Sequence, residues 1–558
     1  MARCRDAVNF AINNIKQTMT KKSLRPHSAR TPLFKSLRRL FGLANLANER
    51  NAPPTDELVE MPVRSSVNRR EFLRMTGTAA VAVGAGAWLS GCAAPKTGPN
   101  APRIAIVGGG IAGLNAAYKL KRHGYMAGIY EASKRTGGRM YTAKDLLNPG
   151  LTTELGGEFV DSTHEEMLAL AQEFNLEWLD MQSPGEEKLI GEAFYFDGAH
   201  HTEAQAVEAF RPLVERIKAD YDKMGEVVDF ENEGGGAELD KTSLADYFDQ
   251  IGAKGWIRKL LDVAFLTEYG LECSEQSALN MIFMISTDLS AGKLALFGDS
   301  DERYKVVGGN QRIVDELALR VQDQIQLEQK LVALKARDQG FTLVFDQGGR
   351  TNEVNADFVI LTLPFTMLRD VDLKVELPDW KKKAIAELGY GMNAKLLLGM
   401  KERSWRVQGY SGNIFSDEPF QLAWDNSRLQ GGTTGGFTCY TGGKASDELQ
   451  QGTAQEQAVR MLTALEKPFV GMTTQFNGKA ERFHWPTHPF TKSSYACYRP
   501  GQWTTIAGAE GKAVGNLLFA GEHCSYDFQG FMNGGAETGK QAAEDVRKAL
   551  RRWRRTAA

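Results

Sequence analysis

A glycine-rich turn between a short apolar strand and a helix is the feature that most limits how this chain can fold. Residues 103–107 read Arg-Ile-Ala-Ile-Val, which is typical of a buried parallel strand, and residues 108–113 read Gly-Gly-Gly-Ile-Ala-Gly. A helix is predicted to about Arg122, and residues 126–130 form the next predicted strand. This order is the fingerprint of a βαβ unit that binds a dinucleotide. We therefore predict an α/β fold with a Rossmann-like sheet.

Each position of the turn has a physical task in holding a diphosphate. Gly108 permits the tight turn, Gly110 lets the backbone approach the pyrophosphate, and Gly113 lets the helix pack on the strand. Ile111 and Ala112 begin the helix, whose free N–H groups and positive dipole end attract the diphosphate.

The segment after the second strand selects between NAD and FAD. Glu131 ends that strand, 18 residues after the last glycine of the turn, where its carboxylate can accept both ribose hydroxyls, and Ala132 follows it. Residues 135–139 then read Arg-Thr-Gly-Gly-Arg and end in Gly138 and Arg139. This run resembles the GG-arginine motif of the FAD-dependent amine oxidase family, in which the arginine contacts an FAD phosphate.

Other segments resemble the same family and occur in the same order. Residues 154–160 resemble the segment beneath the isoalloxazine ring, and residues 304–310 resemble the second glycine loop. Residues 359–364 resemble a strand that ends at a proline, and residues 515–542 resemble the C-terminal flavin motif. The resemblance covers roughly residues 101–548. The chain is thus similar to the flavin amine oxidases, which include monoamine oxidases and L-amino-acid oxidases.

The resemblance implies FAD contacts in widely separated segments. A predicted helix from about Gly534 to Arg551 would point its N-terminus at the flavin pyrimidine. In mitochondrial-type monoamine oxidases a cysteine bonded to FAD precedes the first cage tyrosine, but here that position is Ser494, so we predict non-covalent FAD. The matched contact residues are Gly156, Gly157 and Glu158 beneath the ring, Val332 at adenine, Trp485 near the flavin, Gly521 and Glu522 at the ribityl or ribose chain, and Phe531 and Met532 at the pyrimidine.

Three residues are predicted to carry the chemistry. Lys395 lies in an otherwise apolar strand, where a charge is costly unless it has a partner or a task. In the family, the matching lysine holds a water near flavin N5 and helps oxygen react. Tyr495 and Phe531 match the two aromatic rings that flank the substrate amine, although Phe531 departs from the more usual tyrosine or tryptophan.

The absence of an arginine shortly after the GG-arginine motif bears on the class of substrate. L-Amino-acid oxidases that resemble this chain use an arginine shortly after the GG-arginine motif to pair with the substrate carboxylate. The matching residues 156–159 read Gly-Gly-Glu-Phe. Glu158 would repel a carboxylate and could attract the second ammonium of a diamine, which favours amines. Arg312 or Arg499 could still bind a carboxylate.

We expect an oxidase that converts a primary amine to an imine, with oxygen reduced to hydrogen peroxide and the imine hydrolysed to aldehyde and ammonia. A small-molecule amine and oxygen are then its partners. The alternative is an L-amino-acid oxidase on the same fold, followed by a lipid-anchored FAD protein without catalysis. A flavin desaturase would not need Lys395 and the aromatic pair, and an NAD-dependent reductase would need a second nucleotide fingerprint.

The family resemblance also predicts two interleaved domains. The FAD-binding domain is expected to be discontinuous and to comprise residues 101–175, 300–372 and 506–558. An α+β substrate-binding domain is expected from residues 176–299, which should be largely helical, and from residues 373–505, which should form an antiparallel sheet.

The first 60 residues differ in charge from the rest. Residues 1–60 carry 11 Lys and Arg against five Asp and Glu, and we expect a disordered basic extension or a mis-assigned start, with Met61 as the alternative start. Residues 93–558 carry 52 basic and 63 acidic residues, which argues against a nucleic-acid partner. The eight His and six Cys show no metal-ligand spacing, so no metal site is expected.

Residues 61–92 are predicted to be an export signal. Arg69 and Arg70 precede a Gly/Ala-rich apolar stretch that is too short to span a membrane as a normal helix, and the pair resembles a Tat signal. The stretch ends in a lipobox-like Leu-Ser-Gly-Cys, so Cys92 could carry a lipid anchor. Residues 93–100 are predicted to be a tether. We expect export by the Tat machinery to the periplasm or cell envelope; the oligomeric state is open, with a dimer as one option.

Overall fold

The computed structural model describes residues 32–49, 52–60, 101–225, 227–284 and 301–556. The predicted export signal, residues 61–92, and the predicted tether, residues 93–100, lie outside the described residues. Within the described part of the chain, every helix is too short or too polar to cross a membrane.

A five-stranded parallel sheet draws its strands from widely separated parts of the chain. Its central strand is buried along its whole length, as expected for a parallel sheet covered on both faces. Helices Ile111–Arg122 and Met532–Thr556 pack against each other beside it. The sheet confirms the predicted α/β, Rossmann-like fold. In spatial order the strands are Leu517–Phe519, Phe358–Leu361, Ile104–Val107, Ala127–Tyr130 and Ile325–Gln326.

Smaller sheets flank the parallel sheet. A four-stranded sheet contains three antiparallel strands, Thr351–Ala356, Phe341–Asp346 and Lys330–Ala336, and the strand Asp372–Lys374, which runs parallel to Lys330–Ala336. Two further strand pairs join Thr142–Lys144 to Thr152–Glu154, and Trp178–Asp180 to Tyr304–Val306.

A seven-stranded sheet forms the second part of the molecule. Neighbouring strands are antiparallel except Ile414–Ser416 and Ala193–Phe196, which run parallel. The strand Ala394–Met400 has a partner on each side and is buried along its whole length. Lys395 is therefore an interior residue of the sheet and not a solvent-facing edge residue. In spatial order the strands are Phe476–His484, Ala394–Met400, Gly435–Thr441, Leu422–Asp425, Ile414–Ser416, Ala193–Phe196 and Ala199–His201.

Helices dominate residues 203–282. The longest of them, Glu203–Asp222, begins with a capping box in which the side chains of Thr202 and Gln205 bond each other's backbone N–H groups. The others in this region are Ala237–Lys241, Leu244–Gln250, Gly255–Tyr269 and Leu279–Ile282. Elsewhere the α-helices are Glu165–Glu173, Gln311–Arg320, Phe365–Leu368, Asp379–Glu387, Ser404–Val407, Gly443–Leu449, Ala454–Leu465 and Met472–Gln475.

An N-terminal segment, residues 32–49 and 52–60, packs on this helical region. Its helices Pro32–Ala47 and Thr55–Glu60 both lie against Glu203–Asp222. The segment contributes a row of apolar side chains to the largest hydrophobic core. Those buried in the contact are Leu37, Leu40, Phe41, Leu43, Ala44 and Leu58.

Polar contacts also fix the N-terminal segment. Arg211 donates hydrogen bonds to the carbonyl oxygen of Ala47 and to Oδ1 of Asn48, and Asn48 Nδ2 donates to the Arg211 carbonyl oxygen in return. Arg39 forms an ion pair with Glu203. The expectation of a disordered extension is therefore wrong for residues 32–49 and 52–60. The helix Pro32–Ala47 has an apolar face, and this face packs on the helix Glu203–Asp222.

Candidate active site

One cavity of about 730 Å³ brings together most of the predicted site residues. Its walls come from the segments that follow the parallel strands and from the seven-stranded sheet. The predicted residues that line it are Gly108, Gly110, Ile111, Ala112, Glu131, Ala132, Gly138, Arg139, Gly156, Gly157, Glu158, Lys395, Trp485, Tyr495, Gly521, Glu522, Phe531 and Met532.

The glycine-rich turn forms one end of the cavity. The helix Ile111–Arg122 begins there without a side-chain cap, so its N-terminal N–H groups are left for a ligand. The carboxylate of Glu131 accepts hydrogen bonds from the backbone N–H groups of Gly109, at 2.7 Å, and Ser133, at 2.8 Å. An uncapped helix start beside a fixed acid fits the diphosphate and ribose of a dinucleotide.

Gly113 lies outside the cavity but has the packing role that the sequence predicts. A Cβ atom at this position would lie 2.0 Å from the carbonyl oxygen of Gly108 and 3.2 Å from Cγ2 of Ile106. Any side chain would push the helix away from the first strand. The position therefore supports the turn without touching a ligand.

Val332 is not among the residues that line the cavity, and its predicted backbone contact with adenine stays a prediction. The strand register shifts between Leu331 and Ala333, which makes Val332 the extra residue of a β-bulge. Two residues of the same stretch, Glu328 and Lys330, line the cavity instead. A bulge of this kind changes which side chains point to one face, and strand alternation in the sequence does not reveal it.

Arg139 connects two of the predicted motifs. Its Nη1 donates to Glu522 Oε1 at 2.8 Å and to the carbonyl oxygen of Ser494 at 2.6 Å. The other oxygen of Glu522 accepts a hydrogen bond from the backbone N–H of Gly530 at 2.8 Å. The GG-arginine motif and the C-terminal motif thus hold each other in place at the cavity wall.

The segment after Glu154 approaches two other parts of the site closely. A Cβ atom on Gly156 would lie 1.8 Å from the carbonyl oxygen of Arg139 and 3.2 Å from the ring of Trp485. The indole N–H of Trp485 donates to the carbonyl oxygen of Leu155 at 3.0 Å. This close packing explains why a glycine is needed at position 156.

Lys395 is held by three acceptors in the same segment. Its Nζ lies 3.0 Å from the carbonyl oxygen of Glu154, 2.9 Å from that of Gly156 and 2.8 Å from Oε2 of Glu158. An ammonium group has three N–H donors, so these contacts account for all of them. Lys395 is therefore fixed against the cavity wall.

Glu158 is engaged by two lysines, which corrects its predicted role as a selector of substrate charge. Its Oε1 lies 2.8 Å from Nζ of Lys305, and its Oε2 contacts Lys395. Burial by itself would raise the pKa of Glu158, but the two ammonium groups outweigh burial and lower that pKa to about 2. The carboxylate is ionised and already neutralised, so it is not available to a second ammonium of a substrate.

Aromatic rings form the other end of the cavity. Tyr495 and Phe531 both line it, as predicted, and Trp424, Tyr440 and Phe159 line it with them. The hydroxyl oxygens of Tyr440 and Tyr495 lie 2.8 Å apart, and the ring centroids of Trp424 and Tyr440 lie 5.5 Å apart. This end of the cavity can enclose a small organic group between aromatic faces.

Sequence reasoning missed four residues of the site: Lys305, Phe159, Trp424 and Tyr440. Tyr440 pairs with Lys395 across two adjacent strands, so the two side chains share one face of the sheet. Trp424 and Tyr440 stand on strands that are buried along their whole length, so alternation of buried and exposed positions does not mark the face that they share. For Lys305, the only sequence signal was a lysine beside two valines.

The arginines that could bind a substrate carboxylate point elsewhere. Arg312 donates to the carbonyl oxygen of Val307, and Arg499 pairs with Glu275; neither lines the cavity. Arg135 and Arg139 line it, but Arg135 stacks over Tyr141 and Arg139 pairs with Glu522. Among the described residues, the aromatic end of the cavity therefore has no arginine left to bind a carboxylate.

Comparison with known sequences identifies the family. The sequence model of the family described as flavin containing amine oxidoreductase matches residues 111–547. The chain belongs to this family. An amine oxidase [flavin-containing] of Danio rerio is 24% identical over 474 residues, which cover 81% of this chain and 87% of the relative. A pseudooxynicotine dehydrogenase of Pseudomonas sp is 24% identical over 509 residues, which cover 88% and 97%.

Solved structures of flavin amine oxidases share the fold. Cyclohexylamine oxidase from Brevibacterium oxydans IH-35A has a TM-score of 0.71 and 22% identity, with 81% of this chain and 100% of that chain covered. Wild-type putrescine oxidase bound to putrescine has a TM-score of 0.67 and 20% identity, with 80% and 98% covered. At these identities the likeness concerns the fold alone.

Membership of the family makes this chain an FAD-dependent amine oxidoreductase. The cavity fits the cofactor, since the diphosphate end and the aromatic end are parts of one space. None of the residues that line this space in the described chain is a cysteine, and Ser494 precedes Tyr495. Non-covalent FAD is consistent with both observations.

Proposed function

We propose that this enzyme oxidises a primary amine to an imine, which is released and hydrolysed to an aldehyde and ammonia, while oxygen is reduced to hydrogen peroxide. FAD, when bound, supplies the two-electron oxidation of the amine C–H bond and the transfer of electrons to oxygen. The protein supplies the binding of the amine, its orientation and the exclusion of water.

The observation that carries this proposal is the aromatic end of the cavity beside Lys395. Tyr495, Phe531 and Tyr440 line the same space as the fixed ammonium group. Aromatic faces orient a small amine and keep water out. With FAD bound at this wall, the positive charge of the lysine would stabilise the electrons that the cofactor gains.

The charges at the wall favour the neutral form of the amine. Glu158, Lys305 and Lys395 together carry one negative and two positive charges. A net positive wall disfavours an alkylammonium and so promotes loss of its proton. Only the neutral amine has a free nitrogen lone pair that lets it lose hydride; the product is a protonated imine, which becomes the imine when it loses a proton.

The choice of an amine over an amino acid rests on the arginines. An L-amino-acid oxidase needs a cation that pairs with the substrate carboxylate, and bidentate arginine is the usual choice. Of the two arginines that line the cavity in the described residues, Arg139 is paired with Glu522 and Arg135 stacks over Tyr141. This supports amines as substrates, with the L-amino-acid oxidase as the second candidate.

Anaerobic bleaching of the bound flavin tests the proposal directly. Purified enzyme is mixed with matched pairs: putrescine and ornithine, tyramine and tyrosine, tryptamine and tryptophan. We expect bleaching of the visible absorbance by the amines alone, followed by hydrogen peroxide formation when oxygen is admitted. Bleaching by the amino acids alone would overturn the proposal in favour of an L-amino-acid oxidase. No bleaching by any of the six compounds would favour an FAD protein without this catalysis.

We also propose that the enzyme folds with its N-terminal segment in place, is exported by the Tat machinery and is then cleaved before Cys92, so that a lipid on Cys92 holds it at the cell envelope and residues 32–49 and 52–60 pack on it only before cleavage. The support is the sequence of residues 61–92, with Arg69 and Arg70 before the apolar stretch. The R69K/R70K variant should stay in the cytoplasm, and C92A should move the enzyme from the membrane fraction to the soluble periplasmic fraction. An unchanged distribution in both variants would overturn this proposal.

A further inference from the structure

Three buried charges form one cluster, of which Glu158 and Lys395 line the cavity and Lys305 does not. The side chains of Glu158, Lys305 and Lys395 are each no more than 6% exposed. The single carboxylate bridges the two ammonium groups at 2.8 Å on either side. Removing three charges from water is costly, so the excess positive charge in this cluster needs a reason.

The two lysines come from different parts of the fold. Lys305 belongs to the short strand Tyr304–Val306, and Lys395 belongs to the seven-stranded sheet. The other acceptor of Lys305 is the carbonyl oxygen of Asn426, at the longer distance of 3.3 Å. Glu158 is therefore the link through which Lys305 acts on Lys395.

We infer that Lys305 is a positioning residue of the oxidase site, acting through Glu158 on Lys395 and on the charge that the cavity wall presents to FAD. This inference rests on the proposed function. Without Lys305, Glu158 and Lys395 would form a neutral pair; with it, the three side chains carry a net charge of +1, beside Glu154, whose pKa burial raises to about 7. A positive wall stabilises the negative charge that the cofactor gains on reduction.

The reduction potential of the bound FAD measures this charge without using any amine. It is determined on the holoenzyme by equilibration with reference dyes. We expect K305M to lower the equilibrium constant for reduction of the bound FAD about tenfold. For a two-electron couple this corresponds to a reduction potential that is about 30 mV lower. K305R keeps the positive charge, so its reduction potential should stay close to the wild-type value. K540M is the matched control, because Lys540 also pairs with a buried carboxylate, that of Glu166, which unlike Glu158 does not line the cavity.

Removal of the bridging carboxylate gives a second, opposite readout. E158Q leaves two ammonium groups at the wall, so its potential should rise. The double variant E158Q/K305M leaves Lys395 alone with its charge and should return close to the wild-type potential. A merely structural role would lower FAD binding in all three variants and would not produce shifts of opposite sign.

The outcomes separate this inference from the proposed function. An unchanged potential in K305M, or equal shifts in K305M and K305R, would overturn the inference, and these two variants decide it even where E158Q does not fold. If the potentials shift as expected but no amine bleaches the flavin, the proposed substrate class fails while the role of Lys305 stands.

Discussion

The hydroxyl oxygen of Tyr440 lies 2.8 Å from that of Tyr495 at the aromatic end of the cavity. Tyr495 comes from the loop after the last strand of the seven-stranded sheet, whereas Tyr440 lies within that sheet, opposite Lys395. The hydrogen bond therefore joins the predicted cage residue to the strand next to that of Lys395.

The hydrogen bond between Tyr440 and Tyr495 leads us to expect that the two hydroxyl groups affect catalytic efficiency together. Y440F and Y495F each remove one partner of a neutral hydrogen bond, which contributes about 1 kcal/mol, and each should lower kcat/KM about fivefold for the best amine. The double variant Y440F/Y495F should lose little more than Y495F alone, which breaks this bond and also the 3.4 Å contact of the Tyr495 hydroxyl with the carbonyl oxygen of Thr267. Y495L also removes the ring and should cost at least tenfold more. Y410F is the control, since Tyr410 packs on Phe469 outside the cavity. Additive losses in the double variant would contradict a shared bond.

The close contacts of Gly156 lead us to expect that alanine is tolerated much less well at position 156 than at the adjacent position 157. G156A places a methyl group against the carbonyl oxygen of Arg139, a backbone atom that cannot move away, so we expect the variant to lose FAD and to unfold at a lower temperature. G157A meets the flexible side chain of Met532 and should keep most of its FAD. G191A, which meets nothing within 4 Å, is the control. The measurements are the flavin-to-protein absorbance ratio and the thermal unfolding midpoint. Equal FAD content in G156A and G157A would refute the argument.

The N-terminal segment predicts a stability effect far from the cavity. Leu40 is fully buried against the helical region, so L40A should destabilise the protein by about 2–5 kcal/mol through loss of apolar contact and the cavity left behind. E57A, at an exposed position of the same segment, should change the midpoint little. Thermal unfolding of the full chain measures both. An L40A variant as stable as the wild type would mean that the segment does not pack on the enzyme in solution.

Glu510 predicts a pH dependence of stability. Burial raises the pKa of Glu510 from its ordinary 4.5 to about 7, and Tyr498 donates a hydrogen bond to Oε1 at 2.6 Å. The folded protein thus keeps a proton that the unfolded chain loses, so this stabilisation is complete below pH 4.5 and is lost as the pH rises to about 7. It amounts to about 3 kcal/mol.

The E510Q variant tests that dependence. Glutamine preserves the hydrogen bond without ionising, so the fall in unfolding free energy between pH 5 and pH 8 should be smaller than in the wild type. The variant E238Q, at an exposed position, should follow the wild type. Chemical unfolding at several pH values measures the difference. Parallel pH curves for E510Q and the wild type would contradict the predicted pKa shift.

The sequence alone determined the cofactor-binding half of the site. The turn of residues 108–113 and Glu131 could be found because a dinucleotide imposes fixed requirements on neighbouring residues of one chain segment, and Arg139 because residues 135–139 resemble the GG-arginine motif of the family. Lys395 was found because a charge in an apolar strand is conspicuous. The β-bulge at Val332 was not predictable, since a bulge depends on the partner strand.

Only the tertiary structure decided what Glu158 does. Lys305 and Lys395 stand 147 and 237 residues from it in sequence, and no local pattern indicates that both ammonium groups meet its carboxylate. The packing of the N-terminal segment also could not be predicted, because the partner of its apolar face is the helix Glu203–Asp222, which is distant in sequence. Local backbone requirements can be recognised in consecutive residues, whereas the partner of a charge or of an apolar face is determined only when distant segments pack together.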